Sequence, residues 1–362
     1  MRIAQIAPLY ESVPPKLYGG TERVVSYLTE ELVRLGHEVT LFASGDSVTK
    51  ARLESGCKRA LRLTRACRDP LAYHAVMLDK VLSMSERFDI LHFHTDYMHF
   101  PATRCLQLPT VTTLHGRLDL PDLVPLYEYF DRETLVSISQ AQREPLGRVN
   151  WVGNVYHGLP AQMYRAHREA GEYLAFLGRI SPEKRPDRAI RIAVKAGMKL
   201  KIAAKVDEVD RQYFERNIEP LLNEPGVEYI GEIGDADKNE FLGRAYAYLF
   251  PIDWPEPFGL SMIEAMACGT PTIAFRCGSA PEIIQDGVTG FVVDSEVEAV
   301  AALKRVPGLS RASCRATFER RFTAYRMAKD YLCIYEALAE NSPRIQSMEI
   351  SSTVLTSHTA LT

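Results

Sequence analysis

Residues 250–275 read F-P-I-D-W-P-E-P-F-G-L-S-M-I-E-A-M-A-C-G-T-P-T-I-A-F. Strand, loop, helix and strand follow one another here with little slack. An apolar run, residues 247–250, stops at Pro251. A polar loop with two further prolines leads into a short helix expected over about 259–268. Gly269 ends that helix, and the apolar residues 271–275 start a new strand.

Two glutamates stand in this stretch with seven residues between them. Glu256 lies in the loop ahead of the helix, and Glu264 more than one turn inside it. Between them the amides of Phe258, Gly259, Leu260 and Ser261 fall at the helix N-terminus. Such amides lack partners within the helix, and the helix dipole adds partial positive charge. The result is an anion site, most naturally for phosphate. Gly259 removes a side chain where backbone and ligand approach closely. Glu256 would repel a diphosphate at contact, so it faces something neutral that donates hydrogen bonds, and sugar hydroxyls fit. Glu264 could accept from a ribose diol. A nucleotide-sugar site follows; the plainer reading is a glycine-capped core helix with two surface glutamates.

The run E-P-F-G-L-S-M-I-E-A-M-A-C-G-T-P resembles the E-x7-E motif of the retaining glycosyltransferases of family four. That resemblance implies an α/β fold of the GT-B kind: two facing Rossmann-like domains with parallel sheets and a deep interdomain cleft. It covers nearly all of residues 1–340 and is strongest in the second half. The segments Y-G-G-T-E-R and P-E-K-R-P-D-R also resemble, more faintly, the branch that decorates antibiotics such as avilamycin.

Composition narrows the function. The chain of 362 residues suggests two domains. A formal net charge of −3 gives no reason to expect nucleic acid. No apolar run approaches the roughly 20 residues of a membrane span, and the N-terminus reads as a strand, not a signal peptide. Seven cysteines, odd in number and without a C-x-x-C pair, suit a reducing cytoplasm and argue against structural zinc.

In chain order, residues 2–7 form a first strand and a loop rich in proline and glycine follows. Thr21 is expected to cap a helix with Val24, Val25, Leu28, Leu32 and Leu35 on one face. Residues 37–43 make the next strand, completing a right-handed β-α-β unit. Gly19 and Gly20 lie at the carboxyl end of the first strand, where a ligand would sit. They are not a G-x-G-x-x-G; the resemblance assigns them to approach of the donor diphosphate and acceptor, and a turn is the alternative. Residues 44–68 hold seven Lys or Arg and read as solvated surface, with an acceptor-facing loop as the alternative. After a helix over about 71–87, strands are expected at 90–94, 110–115 and 134–138. His94, Asp96 and His115 fall at strand ends and are the acceptor-side and catalytic candidates. His115 matches the family's strand-end histidine near the transferred sugar. His92 points into packing, and we read H-x-H at 92 and 94 as turned to opposite faces, which rules out a shared metal ion.

N-V-Y-H-G-L-P at 154–160 resembles the close of the family's first domain. We expect an acceptor-side domain over 1–160, a linker at 161–171, and a donor domain over 172–321. A helix over 322–340 crosses back to the first domain, and a disordered tail fills 341–362. The second domain opens with a strand at 173–177, a tight loop and a helix over 186–196. Arg179 and Lys184, in G-R-x-x-x-x-K, resemble the pair that neutralises the donor diphosphate; Arg185 and Arg188 read as solvated. A leaving diphosphate gains charge, so fixed cations aimed at it favour the transition state. After the strand ending near Lys205 many family members carry A-G-x-G, and this chain does not. A helix is expected over about 209–222. Ile230 and Gly231 match the family's cradle for the base. Gly278 lies near the site, and Glu282 is structural.

The expected function is a retaining transfer of a sugar from a nucleoside-diphosphate sugar, preferably a UDP-sugar, to a hydroxyl of a sugar, lipid or small-molecule acceptor. Arg179, Lys184 and the amides at 258–260 would hold the diphosphate, Glu256 the sugar and Glu264 the ribose. No cofactor and no metal are expected, and no catalytic base is assigned. Three rivals share the sequence: a disaccharide phosphorylase or synthase, a nucleotide-sugar epimerase, and a non-catalytic nucleotide-sugar binding protein.

Overall fold

In the computed structural model, which describes residues 1–340 except 17, 18, 63, 65 and 170, the chain forms two compact units. The first comprises Met1–Ile138, Pro145–Gly158 and the helix Ala324–Glu340; the second comprises Ser139–Glu144 and Leu159–Thr323. The tail expected to be disordered lies outside the described residues.

The first unit is built on seven parallel strands: β1 (Arg2–Ile6), β2 (Glu38–Ser44), β3 (Arg52–Cys57), β4 (Ile90–Phe93), β5 (Thr110–Thr113), β6 (Leu135–Ser137) and β7 (Trp151–Asn154). Their order is β3-β2-β1-β4-β5-β6-β7. The order therefore reverses direction between β1 and β4, and in open α/β sheets ligands bind outside the carboxyl ends at such a point. The helix Gly20–Arg34 begins one residue before Thr21, because the Gly19 carbonyl already accepts from the Arg23 amide at 3.3 Å; no side chain caps it.

β3 falls in the segment read as solvated surface. It is an edge strand, and its charges do what edge strands need: Arg52 and Lys80 pair with Glu54 at 2.9 and 2.6 Å. An alternation of charge and glycine, with Leu53 as its single large apolar residue, carries no strand signal.

The second unit holds six parallel strands: β8 (Tyr173–Arg179), β9 (Lys199–Lys205), β10 (Val227–Gly231), β11 (Ala245–Phe250), β12 (Thr272–Phe275) and β13 (Gly290–Val293). Their order, β10-β9-β8-β11-β12-β13, reverses between β8 and β11. Its core joins Leu174, Phe176, Ile190, Ile202, Leu249 and Ile273 to the helix Pro186–Ala196. The continuous helix expected over 209–222 is broken into short 3-10, α and π turns, Glu208–Asp210 through Glu219–Asn223. Pro220 explains the break: it offers no amide, and its ring meets the carbonyl one turn back.

The 161–171 stretch is no free linker. Tyr164 is fully buried, the His167 amide donates to the Cys268 carbonyl at 2.9 Å, and Arg315 donates to the carbonyls of Ala161 and Tyr164. The helix Arg311–Arg321 therefore fastens this stretch to the second unit.

Candidate functional site

In the second unit the candidate residues other than Ile230 and Gly231, which lie on the edge strand β10, gather at the reversal point. β8 ends at Arg179, and the loop after β11 carries Glu256. The helix Leu260–Ala267 follows, with Gly259 as its cap residue at φ 81° and no side chain capping its first amides. A side chain at 259 would need left-handed backbone and would meet Met262 and Phe250 at 2.7 and 3.0 Å, so only glycine serves. The rest of the helix is buried on every side, from Met262 to Ala267.

Both acids are fixed through one oxygen. Glu256 Oε2 is ion-paired with Lys184 and accepts from the Trp254 indole N–H at 2.9 Å. Glu264 Oε1 accepts from the Tyr164 hydroxyl at 3.1 Å and from Lys238 at 2.9 Å. Glu264 is only 3% exposed. Glu256 is thus not left to neutral partners alone, as charge repulsion suggested; a lysine offsets it. Sequence reasoning missed Trp254, Tyr164 and Lys238. Trp254 and Lys238 carried no spacing signal, and Tyr164 sat in a stretch read as linker.

The loop bearing Glu256 is held from three sides. The Ser279 amide donates to the Glu256 carbonyl at 3.0 Å, and the Ser279 hydroxyl to the Phe258 carbonyl at 2.7 Å. The Asp253 amide donates to the Glu183 carbonyl at 2.9 Å. Arg185 and Arg188, read as solvated, are braces: Arg185 donates to Asp187 and Asp253, and Arg188 donates to the carbonyls of Pro251 and Ile252. Glu282, read as structural, accepts from the amides of Gln140 and Ala141 at 2.8 and 2.6 Å.

Arg179 stands among Glu183, Asp207 and Asp210 at 3.6–3.9 Å, and its buried Nε has no hydrogen-bond partner. Two of these acids come from the loop after β9, where the sequence departs from A-G-x-G. Gly231 ends the edge strand β10 at φ 78° beside Ile230, which is exposed.

In the first unit, Gly19 and Gly20 follow β1, while His94 and His115 follow β4 and β5. A Cβ at Gly19 would meet Pro15 at 2.8 Å. His94 is buried and its Nδ1 lies 2.8 Å from His115 Nε2; His115 is half-buried and stacks on His157. Burial pushes the His115 imidazole down to about 3 and His94 well below its usual value, so both are neutral at neutral pH. Asp96 is exposed, with left-handed backbone at φ 50°. His92 is packed inside, as read, but the opposite-face argument fails: its ring lies 4.0 Å from that of His94. Side chains two apart on a strand share a face. Among the described residues no group of three or more His, Cys, Asp or Glu is arranged to hold a metal ion, and no helix is long and apolar enough to cross a membrane.

Two family models match the chain: Glycosyltransferase Family 4 over residues 18–152 and Glycosyl transferases group 1 over residues 161–306. A D-inositol 3-phosphate glycosyltransferase of Salinispora tropica is 31% identical over 205 residues, 51% of this chain. That match spans 42% of the relative's length, and matches to the same enzyme of Mycobacterium strains span 28%. A phosphatidyl-myo-inositol mannosyltransferase of Mycobacterium leprae is 26% identical over 96% of this chain and 99% of its own. Among solved structures, AviGT4, a glycosyltransferase involved in avilamycin A biosynthesis, superposes with a TM-score of 0.72 at 23% identity, covering 94% of this chain and 98% of that one. The Anabaena protein Alr3699/HepE in complex with UDP-glucose gives 0.71 at 18%, covering 94% and 100%. These two likenesses show the GT-B fold.

Proposed function

We propose that this chain, which belongs to the family-four glycosyltransferases, transfers a sugar from a nucleoside-diphosphate sugar to an acceptor hydroxyl with retention of anomeric configuration. The observation that carries the reading is the uncapped N-terminus of the helix Leu260–Ala267 between two anchored acids. The diphosphate is assigned to the amides at Phe258, Gly259 and Leu260, with Lys184 and Arg179 as the cations that offset charge on the leaving group. Glu256 takes a sugar hydroxyl and Glu264 the ribose diol. Ile230 and Gly231 are assigned to the base. On the first unit, Gly19 and Gly20 are assigned to backbone approach, His115 to a substrate hydroxyl, and His94 and Asp96 to the acceptor.

The chemistry is the one that the resemblance to the retaining family-four enzymes implies. No side chain is assigned as nucleophile or base; the acceptor attacks from the face the diphosphate leaves, and the leaving phosphate oxygen takes its proton. Fixed cations supply the positive charge, and no metal enters the scheme. A uridine nucleotide is the preferred donor, supported by the UDP-glucose complex of the similar Anabaena protein. We place the reaction in a reducing compartment, the cytoplasm, since all seven cysteines are free thiols.

Incubation with radiolabelled nucleotide sugars tests the reading. Release of nucleoside diphosphate with label transferred to acceptor or water supports it; tight binding without turnover would leave a binding protein instead. Glu256→Gln keeps the side chain's shape and one acceptor oxygen but loses the charge. Isothermal titration is expected to show sugar-donor affinity falling about tenfold more than free-nucleotide affinity, the difference between a charged and a neutral hydrogen bond. Equal weakening of both ligands would reject the sugar-facing assignment.

A further inference from the structure

Gln5, fully buried in β1, joins two chains of hydrogen bonds. On one side its Oε1 accepts from His94 Nε2 at 2.8 Å, and His94 Nδ1 lies 2.8 Å from His115 Nε2. On the other its Nε2 donates to the Tyr335 hydroxyl at 3.0 Å, which lies 2.6 Å from His92 Nδ1. His92 Nε2 lies 2.7 Å from the Thr113 hydroxyl, itself 2.8 Å from that of Tyr331. All these side chains belong to the first unit.

With the Gln5 amide oxygen turned toward His94, the chemistry of each group sets the direction of every bond. A neutral imidazole donates through one nitrogen and accepts through the other. An amide oxygen only accepts, so His94 holds its proton on Nε2. Its Nδ1 is then bare and must accept from His115 Nε2–H. That leaves His115 Nδ1 bare, and this atom is buried without a hydrogen-bond partner. The other arm is satisfied with the amide in the same orientation. Its NH2 only donates, so the Tyr335 oxygen receives it and the Tyr335 proton goes to His92 Nδ1. His92 then donates from Nε2 to Thr113. Turning the amide over would require both histidine arms to reverse together.

We propose that Gln5 and His94 are positioning residues that hold His115 in its Nε2–H tautomer, so that Nδ1 accepts a hydrogen bond from a substrate hydroxyl. This rests on the assignment of His115 to substrate made above. The bare nitrogen selects by polarity: a sugar hydroxyl can donate to it, whereas a phosphate oxygen or a carbonyl cannot. Gln5 therefore sets which end of a substrate His115 accepts, two links away.

Long-range proton–nitrogen correlation spectra of the uniformly nitrogen-15-labelled full chain at neutral pH read the tautomer directly. His115 is assigned by the loss of its signals in His115→Gln. The expected spectrum shows a proton on Nε2 and a bare Nδ1 for both His94 and His115. Gln5→Met, similar in shape but with only a weak thioether acceptor, is expected to lose the single tautomer at His115. A wild-type His115 carrying its proton on Nδ1 would overturn the proposal, whether or not the variant folds. A folded Gln5→Met chain that keeps the pure Nε2–H form would overturn it too. The measurement needs no substrate, so its failure is distinct from a failure of the transferase reading, which the labelled-donor assay reports.

Discussion

Lys184→Ala is expected to lower turnover of a nucleotide sugar by about two to three decades, the effect of losing one preorganised transition-state donor. Lys184 is held for that task. Its Nζ is paired with Glu256 and sits 5.1 Å from the Trp254 ring centroid and 5.9 Å from that of Phe250. Truncation acts twice. It removes the cation that receives charge as the diphosphate leaves, and it leaves Glu256 with the Trp254 indole but no offsetting charge. Ground-state donor binding is expected to change less than turnover, because the cation counts most when the leaving group is most charged. Steady-state kinetics on a folded variant check this, with folding followed by thermal melting. Unchanged kcat would remove Lys184 from the scheme.

Gly278→Ala is expected to cost about a hundredfold in kcat, although position 278 need touch no substrate. The glycine has φ 53°, and a Cβ there would lie 2.4 Å from both the amide nitrogen and the carbonyl oxygen of Glu256. These are backbone atoms, so they cannot swing aside; the whole segment must shift by the better part of an ångström. A displacement of about 1 Å at a positioning group is enough for a loss of that size. The same shift strains the bond from Ser279 to the Glu256 carbonyl, so a modest fall in melting temperature should accompany it. A variant with full activity would show that Glu256 is not held by this contact.

The two predictions use residues of different legibility. The E-x7-E spacing, the glycine before the helix and the G-R-x-x-x-x-K run could be read from the sequence because each is a local pattern on one strand-loop-helix unit. The helix Pro186–Ala196 was legible to the residue, with proline at its start and Gly197 at φ 64° past its end. What the sequence hid was long-range. Nothing local links Tyr164 or Lys238 to Glu264, 100 and 26 residues away. Arg185 and Arg188 looked solvated because arginines at the start of a helix carry no mark of the carbonyls and acids they will meet. β3 was hidden because an edge strand needs charge more than apolar alternation. The shared face of His92 and His94 was legible from strand periodicity and was misread.

A crystal structure with a bound nucleotide sugar tests the central claim most directly. The ligand is chosen by a thermal-shift screen against UDP, GDP, ADP and TDP, since binding raises apparent stability by mass action. The expected structure places the diphosphate on the amides of Phe258, Gly259 and Leu260, with Lys184 beside it and hydroxyls on Glu256 and Glu264. A nucleotide lodged elsewhere on the chain, with those amides still uncontacted, would contradict the account.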